Sequence, residues 1–267
     1  RIVSEALPEK VSSLEYSRRL RGDAIFYRQF RDGDTDDSEL QEYWLAFRTL
    51  NFNAGFPALL AANRNFTPED QKTLSQSLIS LIIRHNIVCS LDRAKTESLA
   101  YSIAKKISDG VSLAAIIDDL RKASPSKELF EQSFANLKFS KAEHGTARYL
   151  LRAIEAHVES TGEVTVAGPD RVHIEHIYPQ SPKEGHRWED HDRYLTRFGN
   201  LTLLGSRLNE QIKNSDFGLK KEKAYQNTRL LLTEALLKLD SWSPQAVVSR
   251  QSELCQLAQE LWPAALV

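Results

Sequence analysis

The sequence predicts a mainly α-helical protein with one small β-β-α unit embedded in its second half, an α+β arrangement. Three observations carry this reading. Apolar residues recur at helical spacing through most of residues 12–160. Short stretches of strand character begin only after Ser160, in "GEVTVAG", "VHIEHI" and "NLTLLG". A short polar helix segment, Ser206 to Lys213, follows the last of them directly. The chain of 267 residues is long enough for one large domain or two ordinary ones. The change of pattern divides it into a helical domain, 1–160, and a second domain, 161–267, holding the β-β-α unit and C-terminal helices.

The helices can be justified in order. "DGDTDD", Asp32 to Asp37, is an acidic polar loop after the first helical stretch. Thr67-Pro68-Glu69-Asp70 starts a helix with a hydroxyl cap, an early proline and early acids. Leu74, Leu78, Ile79, Ile82 and Ile83 then recur along one face. Leu99, Ile103 and Ile107 repeat that signal, and Gly110 stops it. Leu113, Ile116, Ile117 and Leu120 mark a shorter helix, and Ser126 to Leu137 and Lys141 to Val158 two more. Val164 and Val166 flank Thr165 as a short strand, and Val172 to Ile177 reads as a second. A polar stretch with Pro179, Pro182 and Gly185 leads to a short helix near Trp188 to Arg197. Asn200 to Gly205 is strand-like, Ser206 caps the helix that follows, and Ser243-Pro244 opens the last helix, which runs towards Trp262.

Composition bounds the function more weakly. Hydrophobic residues make up 41 % and charged residues 27 %, enough to bury a core. The formal net charge is −1, so any anionic partner must be held by a local patch. Cys89 and Cys255 are far apart and sit among apolar neighbours, which suits buried free thiols in a reducing, cytoplasmic setting. No apolar run approaches the ~18–20 residues a membrane span needs. The chain opens with Arg1 rather than methionine, which suggests a fragment of a longer protein.

The chemistry concentrates in "RVHIEHIYPQ", Arg171 to Gln180, where Glu175 and His176 adjoin at the end of a strand. Gly199-Asn200 lies at the turn into the next strand and Asn209 on the following helix. A one-metal nuclease needs these parts. A neutral imidazole can take a proton from water near neutral pH. A hard ion such as Mg²⁺ needs a few protein oxygens and keeps several waters, which Glu175 and Asn209 can provide. Asn200 can hold the imidazole in a useful orientation.

In this pattern the chain resembles the H-N-N variant of the HNH, or His-Me finger, nucleases. More narrowly, "IEHIYPQ" with "RFGNLTLLGSRLNEQIKNSDFGLKKEKAY" looks like the C-terminal nuclease domain of GmrSD-type, modification-dependent (type IV) restriction endonucleases. The residues that carry this are His176-Ile177-Tyr178-Pro179, Gly199 to Leu204, Asn209, and then Phe217, Lys220 and Lys221. The resemblance implies a ββα-metal core, with His176 as general base and Asn200 as the asparagine that positions it. It implies Glu175 and Asn209 as ligands of Mg²⁺ or Mn²⁺, and DNA as substrate in defence against foreign DNA. It further implies a nucleotide-hydrolysing, sensing domain or partner chain, for which these residues hold no P-loop. Many family members have aspartate before the histidine; here the longer glutamate must fold back to reach the same ion.

Each residue also has a bland explanation: a surface Glu-His pair, ordinary turn chemistry at Gly199-Asn200, a solvated Asn209. Their order on strand, turn and helix favours the nuclease. A zinc site from His173, His176, His186 and His191 is a weaker rival, because residues three apart on a strand face opposite ways. A binding module without turnover on the same fold is the other. Ten Lys and Arg against seven Asp and Glu between Lys183 and Arg229 is a modest bias. Within it Arg207, Lys213, Lys220 and Lys221 are the expected phosphate contacts, with Lys223 nearby. Phe198, Leu201, Leu203, Leu208 and Ile212 are expected in the core.

Overall fold

The computed structural model of the chain describes residues 13–159 and 171–264. It is mainly α-helical with a single two-stranded antiparallel sheet among those residues. Among the described residues eight α-helices precede the sheet: α1 Ser13–Asp32, α2 Ser38–Thr49, α3 Phe56–Asn65, α4 Pro68–Ile82, α5 Arg93–Ser108, α6 Leu113–Ala123, α7 Lys127–Phe134 and α8 His144–Val158. Then come β1 Val172–His176, α9 His191–Leu195, β2 Leu201–Gly205, α10 Ser206–Ile212, α11 Phe217–Lys223, α12 Leu231–Glu234 and α13 Pro244–Leu261. The strand expected at Val164 to Val166 lies outside the described residues.

The chain forms two compact units. The first comprises the described part of Arg1–Ile79 together with Ala94–Leu120. Its core is rich in rings: Phe26, Phe30, Trp44 and Phe56 meet at centroid distances of 5.3 to 6.2 Å. Asp37 closes the acidic loop by capping α2, its Oδ1 accepting from the backbone of Glu39 and Leu40 at 3.0 and 3.1 Å. Lys72 pairs with its other oxygen at 2.8 Å. Thr67 caps α4 as its sequence requires, accepting from Asp70 N at 3.2 Å.

The second unit comprises Ser80–Arg93 and the described part of Arg121–Val267. The α4 helix runs on as a π-helical turn, Ile83–Val88, that presents Arg84 inward. Its guanidinium donates to Ser124 Oγ, Pro125 O and Trp262 O at 3.0 to 3.1 Å and lies over the Phe130 ring. In the sheet, Val172 pairs with Gly205, Glu175 with Thr202 and His176 with Leu201. The α8 helix packs on both strands, and α13 packs on the Phe198–Asn200 turn that leads into β2.

That turn is held by two neighbouring side chains of α13. Gln251 Oε1 accepts from Gly199 N at 3.1 Å, while its Nε2 donates to Phe134 O and Leu137 O. Arg250, buried, donates to Gly199 O and Leu201 O at 2.9 and 2.7 Å. Burial lowers its pKa to about 10, and it remains charged at neutral pH. Glu155 of α8 accepts from the backbone of Leu231 and Leu232 and so fixes the start of α12.

Two local expectations are corrected. Gly205, not Ser206, occupies the cap position of α10; Ser206 Oγ is engaged with His173 Nε2 at 2.9 Å and Arg171 O at 3.2 Å. The helix expected over Trp188 to Arg197 shortens to His191–Leu195. Trp188 is drawn off to stack on Tyr178, and Arg197 forms a backbone bridge with Lys138. Phe198, Leu201, Leu203 and Ile212 are fully buried as expected, and Leu208 packs against their neighbours. Cys255 is buried and Cys89 half-buried, both free.

Gly199 is required by space. A Cβ there would lie 2.3 Å from Val247 O and 2.9 Å from Gln251 Cβ, so α13 must move to admit alanine. Gly199→Ala is expected to destabilise the fold by about 1–3 kcal/mol. Urea unfolding measures this, and a loss below about 0.5 kcal/mol, the range of indifferent surface changes, contradicts it.

Candidate functional site

The antiparallel pairing of β1 and β2 ends at His176, and the next residues are bent away by Asn200. Asn200 is fully buried at the mouth of β2. Its Oδ1 accepts from Tyr178 N at 2.8 Å and Trp242 Nε1 at 3.0 Å. Its Nδ2 donates to Leu195 O at 3.1 Å and Tyr178 O at 3.3 Å. Its backbone carbonyl accepts from Ile177 N at 2.9 Å. The side chain thus uses its amide on the loop that carries His176, not on the imidazole itself.

The His176 ring is mostly buried, between Gln180 and His144. Gln180 Nε2 lies 3.0 Å from Nδ1, and the His144 ring, at the start of α8, sits 5.6 Å away centroid to centroid. Donation from the exposed Gln180 amide makes Nδ1 the accepting nitrogen, and a water could take that amide's place. Burial pushes the His176 pKa down to about 4, with the nearby His144 and Lys220 acting the same way. The ring is therefore neutral at neutral pH, the form that accepts a proton.

Glu175, the residue before His176 on β1, reaches towards α11. Its Oε1 meets Lys220 Nζ at 2.5 Å and the Tyr225 hydroxyl at 3.5 Å. Lys220 also donates to the carbonyls of His176 at 2.5 Å and Ile177 at 3.3 Å. Burial raises the Glu175 pKa and lowers that of Lys220, each offset in part by the other's charge.

Lys220 is the clearest correction to the sequence reading. It is wholly buried, so it is not a surface phosphate contact. Phe217 and Lys220 share one inward stripe of α11, which the buried Ala224 at its C-cap continues, and the ammonium is carried on that stripe beneath β1. Lys221 is partly anchored as well, donating to Leu239 O at 2.6 Å beside the Phe217 ring. Arg207 and Lys213 are exposed.

An open cleft of about 280 Å³ brings much of the expected set together. Glu175, His176 and Gln180 line it from β1 and its loop, and Asn209, Lys213 and Asn214 from α10 and its end. Lys213 adopts a left-handed backbone, φ 41°, where α10 stops. The donors offered to a cation are oxygens, the Glu175 carboxylate and the side-chain amide of Asn209. Lys220 and Tyr225 both engage Oε1 of Glu175, and the backbone of His176 also bonds the carboxylate. Such a set suits a hard ion that keeps several waters. His173 bonds Ser206 and His191 bonds Tyr178, and no three His, Cys, Asp or Glu converge among the described residues.

Residues 124–257 match the family model of the GmrSD restriction endonucleases, C-terminal domain. The chain belongs to this family. The match spans half of the sequence and takes in both strands, the cleft and most of α13. A search of curated proteins found no match. The family is one of restriction endonucleases, and its cleft here is built by β1, α10 and α11. No described helix is long and apolar enough to cross a membrane. His144, Gln180 and Tyr225 join the site unannounced by the sequence. His144 comes from a distant helix, but Tyr225 stands one helical turn beyond Lys221, at the end of the quoted motif segment.

The buried Lys220–Glu175 pair gives a stability prediction. Lys220→Met strands a buried carboxylate and is expected to cost about 3–5 kcal/mol. Adding Glu175→Gln removes that charge and recovers most of the loss. Denaturant unfolding of the single and double variants reads this directly; a cost under about 1 kcal/mol for Lys220→Met, or no recovery, contradicts the pairing.

Proposed function

We propose that this chain hydrolyses DNA phosphodiester bonds with the help of a divalent metal, nicking or cutting both strands, in defence against foreign or modified DNA. The observation that carries the reading is the convergence of His176, Glu175 and Asn209 on one open cleft, with Lys213 at its edge. It is supported by membership in the GmrSD family and by the strand–strand–helix order. A partner domain or chain that senses DNA and hydrolyses nucleotide belongs to the same proposal through the family resemblance.

In this mechanism His176 Nδ1 accepts a proton from the water that attacks phosphorus, once that water displaces the Gln180 amide. Asn200 is a positioning residue: it holds the Tyr178 backbone, and so the loop that orients the imidazole. Glu175 and Asn209 are the residues that would hold a Mg²⁺ or Mn²⁺ ion. When bound, that ion supplies stabilisation of the charge that gathers on the phosphate and its leaving oxygen. Lys220 keeps Glu175 in place from below. Arg207 and Lys213, both exposed on or beside α10, take the phosphates on either side of the scissile one.

Supercoiled plasmid is the direct assay. With Mg²⁺ or Mn²⁺ the chain is expected to yield open-circular or linear DNA, and a chelator stops it. His176→Ala should slow conversion by about 10²–10⁴-fold while binding DNA almost unchanged. Asn209→Ala should raise the metal concentration for half-maximal rate. Binding without any conversion favours the non-catalytic module, and unchanged nicking by His176→Ala removes the base assignment.

Phosphate contact has its own signature. Each contact on duplex DNA adds about 0.9 to the slope of log K against log salt. Replacing Arg207 and Lys213 together by glutamine should flatten that slope by about 1.8 units, equally on all sequences. Fluorescence anisotropy across a salt series measures it; parallel slopes for variant and wild type place the phosphates elsewhere.

A further inference from the structure

Beside the catalytic cleft lies a second recess, of about 270 Å³, that no step of the mechanism uses. The two share Pro179 and Asn214 as lining residues. Tyr178, Trp188, Phe217 and Trp242 supply its aromatic lining. Tyr178 and Trp188 stack at 3.7 Å with planes 4° apart, and Phe217 and Trp242 meet at 5.7 Å. The rings are fixed in advance. Tyr178 OH accepts from Trp188 N at 2.8 Å, and Trp242 Nε1 donates to Asn200 Oδ1, the oxygen that also binds Tyr178 N. The same buried amide therefore sets the His176 loop and one wall of the recess.

The polar groups of the recess are of mixed sign. Lys183 and His186 contribute from one segment, Asp216 and Asp240 from two others, and Lys183 lies 3.5 Å from Asp216. Two carboxylates oppose a phosphate, yet they accept hydrogen bonds from amino groups. Aromatic surface with acceptors beside it suits a flat ring that carries an exocyclic amine.

We propose that this recess is a nucleobase subsite, taking one unstacked base of the strand whose phosphate occupies the adjoining cleft. The occupant is adenine, cytosine or guanine rather than thymine, because only thymine lacks an exocyclic amine for Asp216 or Asp240. The proposal rests on the nuclease reading, since continuity with a phosphate-binding cleft selects a base over other planar ligands. Stacking repays the cost of drawing the base out of its helix.

The test uses the full chain and an oligonucleotide duplex whose cut position has been mapped with Mg²⁺. Affinity is then measured in EDTA, which stops turnover, with an abasic analogue placed at each position in turn. One position close to the cut is expected to lose about 5- to 150-fold in affinity, the range for one base stacked on an aromatic side chain. Thymine at that position should bind more weakly than the other bases. Trp188→Leu should lose affinity on the intact duplex and no longer feel the abasic substitution, whereas Trp188→Phe should retain both. Equal affinity at every abasic position, or the same abasic penalty in Trp188→Leu, overturns the subsite. If Trp188→Leu does not fold, 2-aminopurine at the sensitive position replaces it: saturable quenching on binding to the wild-type chain supports the subsite, and unchanged emission overturns it. A chain that cuts DNA yet shows no base-sensitive position overturns this proposal alone; one that neither binds nor cuts DNA overturns the nuclease reading with it.

Discussion

The buried amide of Asn200 is the constraint on which the site depends. It makes four side-chain hydrogen bonds, to both backbone groups of Tyr178, to Leu195 O and to the Trp242 indole. No smaller or purely accepting side chain satisfies all four. Leaving even one buried donor or acceptor unpaired costs about 1–3 kcal/mol. The amide is itself held by the fold, because Gly199 and Leu201 on either side are gripped by Arg250 and Gln251 of α13. A helix more than forty residues downstream therefore determines where the loop after His176 runs. The need for Gly199 follows from the same contact, since α13 lies too close for a Cβ.

Buried charge beneath the sheet is the second theme. Lys220, Glu175 and Arg250 are all almost inaccessible, and each has a partner. Such groups stabilise a fold little compared with apolar side chains of the same size. Their use here is positional. Lys220 draws the Glu175 carboxylate and the His176 and Ile177 carbonyls to one ammonium, tying the end of β1 to α11. Arg250 does the same for both ends of the turn into β2. The cleft floor is thus assembled before any ligand arrives, which suits a site that works by geometry and charge.

Much of the frame was legible in the residues. The caps at Thr67 and Ser243, the strands around His173 and Thr202, and the helix carrying Asn209 follow from local chemistry, and local chemistry is what a sequence displays. What was not legible depends on distant partners. A lysine in a basic run looks solvated until β1 places a carboxylate over it, so from sequence alone Lys220 belongs to the surface. The helix around Trp188 looked longer because nothing local announces the Tyr178 stack. His144 gives no sign that its helix begins beside His176, and the aromatic recess is built from three separate segments. For Lys220 a local signal exists, since its spacing from Phe217 puts it on the buried face of α11.

The central claim is that Asn200 acts on the reaction only by placing His176. It can be tested by comparing nicking rates of Asn200→Ala, His176→Ala and the double variant, on protein shown to be folded by near-ultraviolet circular dichroism. If the asparagine works through the histidine, its loss slows nicking but adds nothing once the imidazole is gone, and the double variant matches His176→Ala. Wild-type nicking by folded Asn200→Ala, or a double variant slower than His176→Ala by the full effect of the asparagine change, would contradict the account.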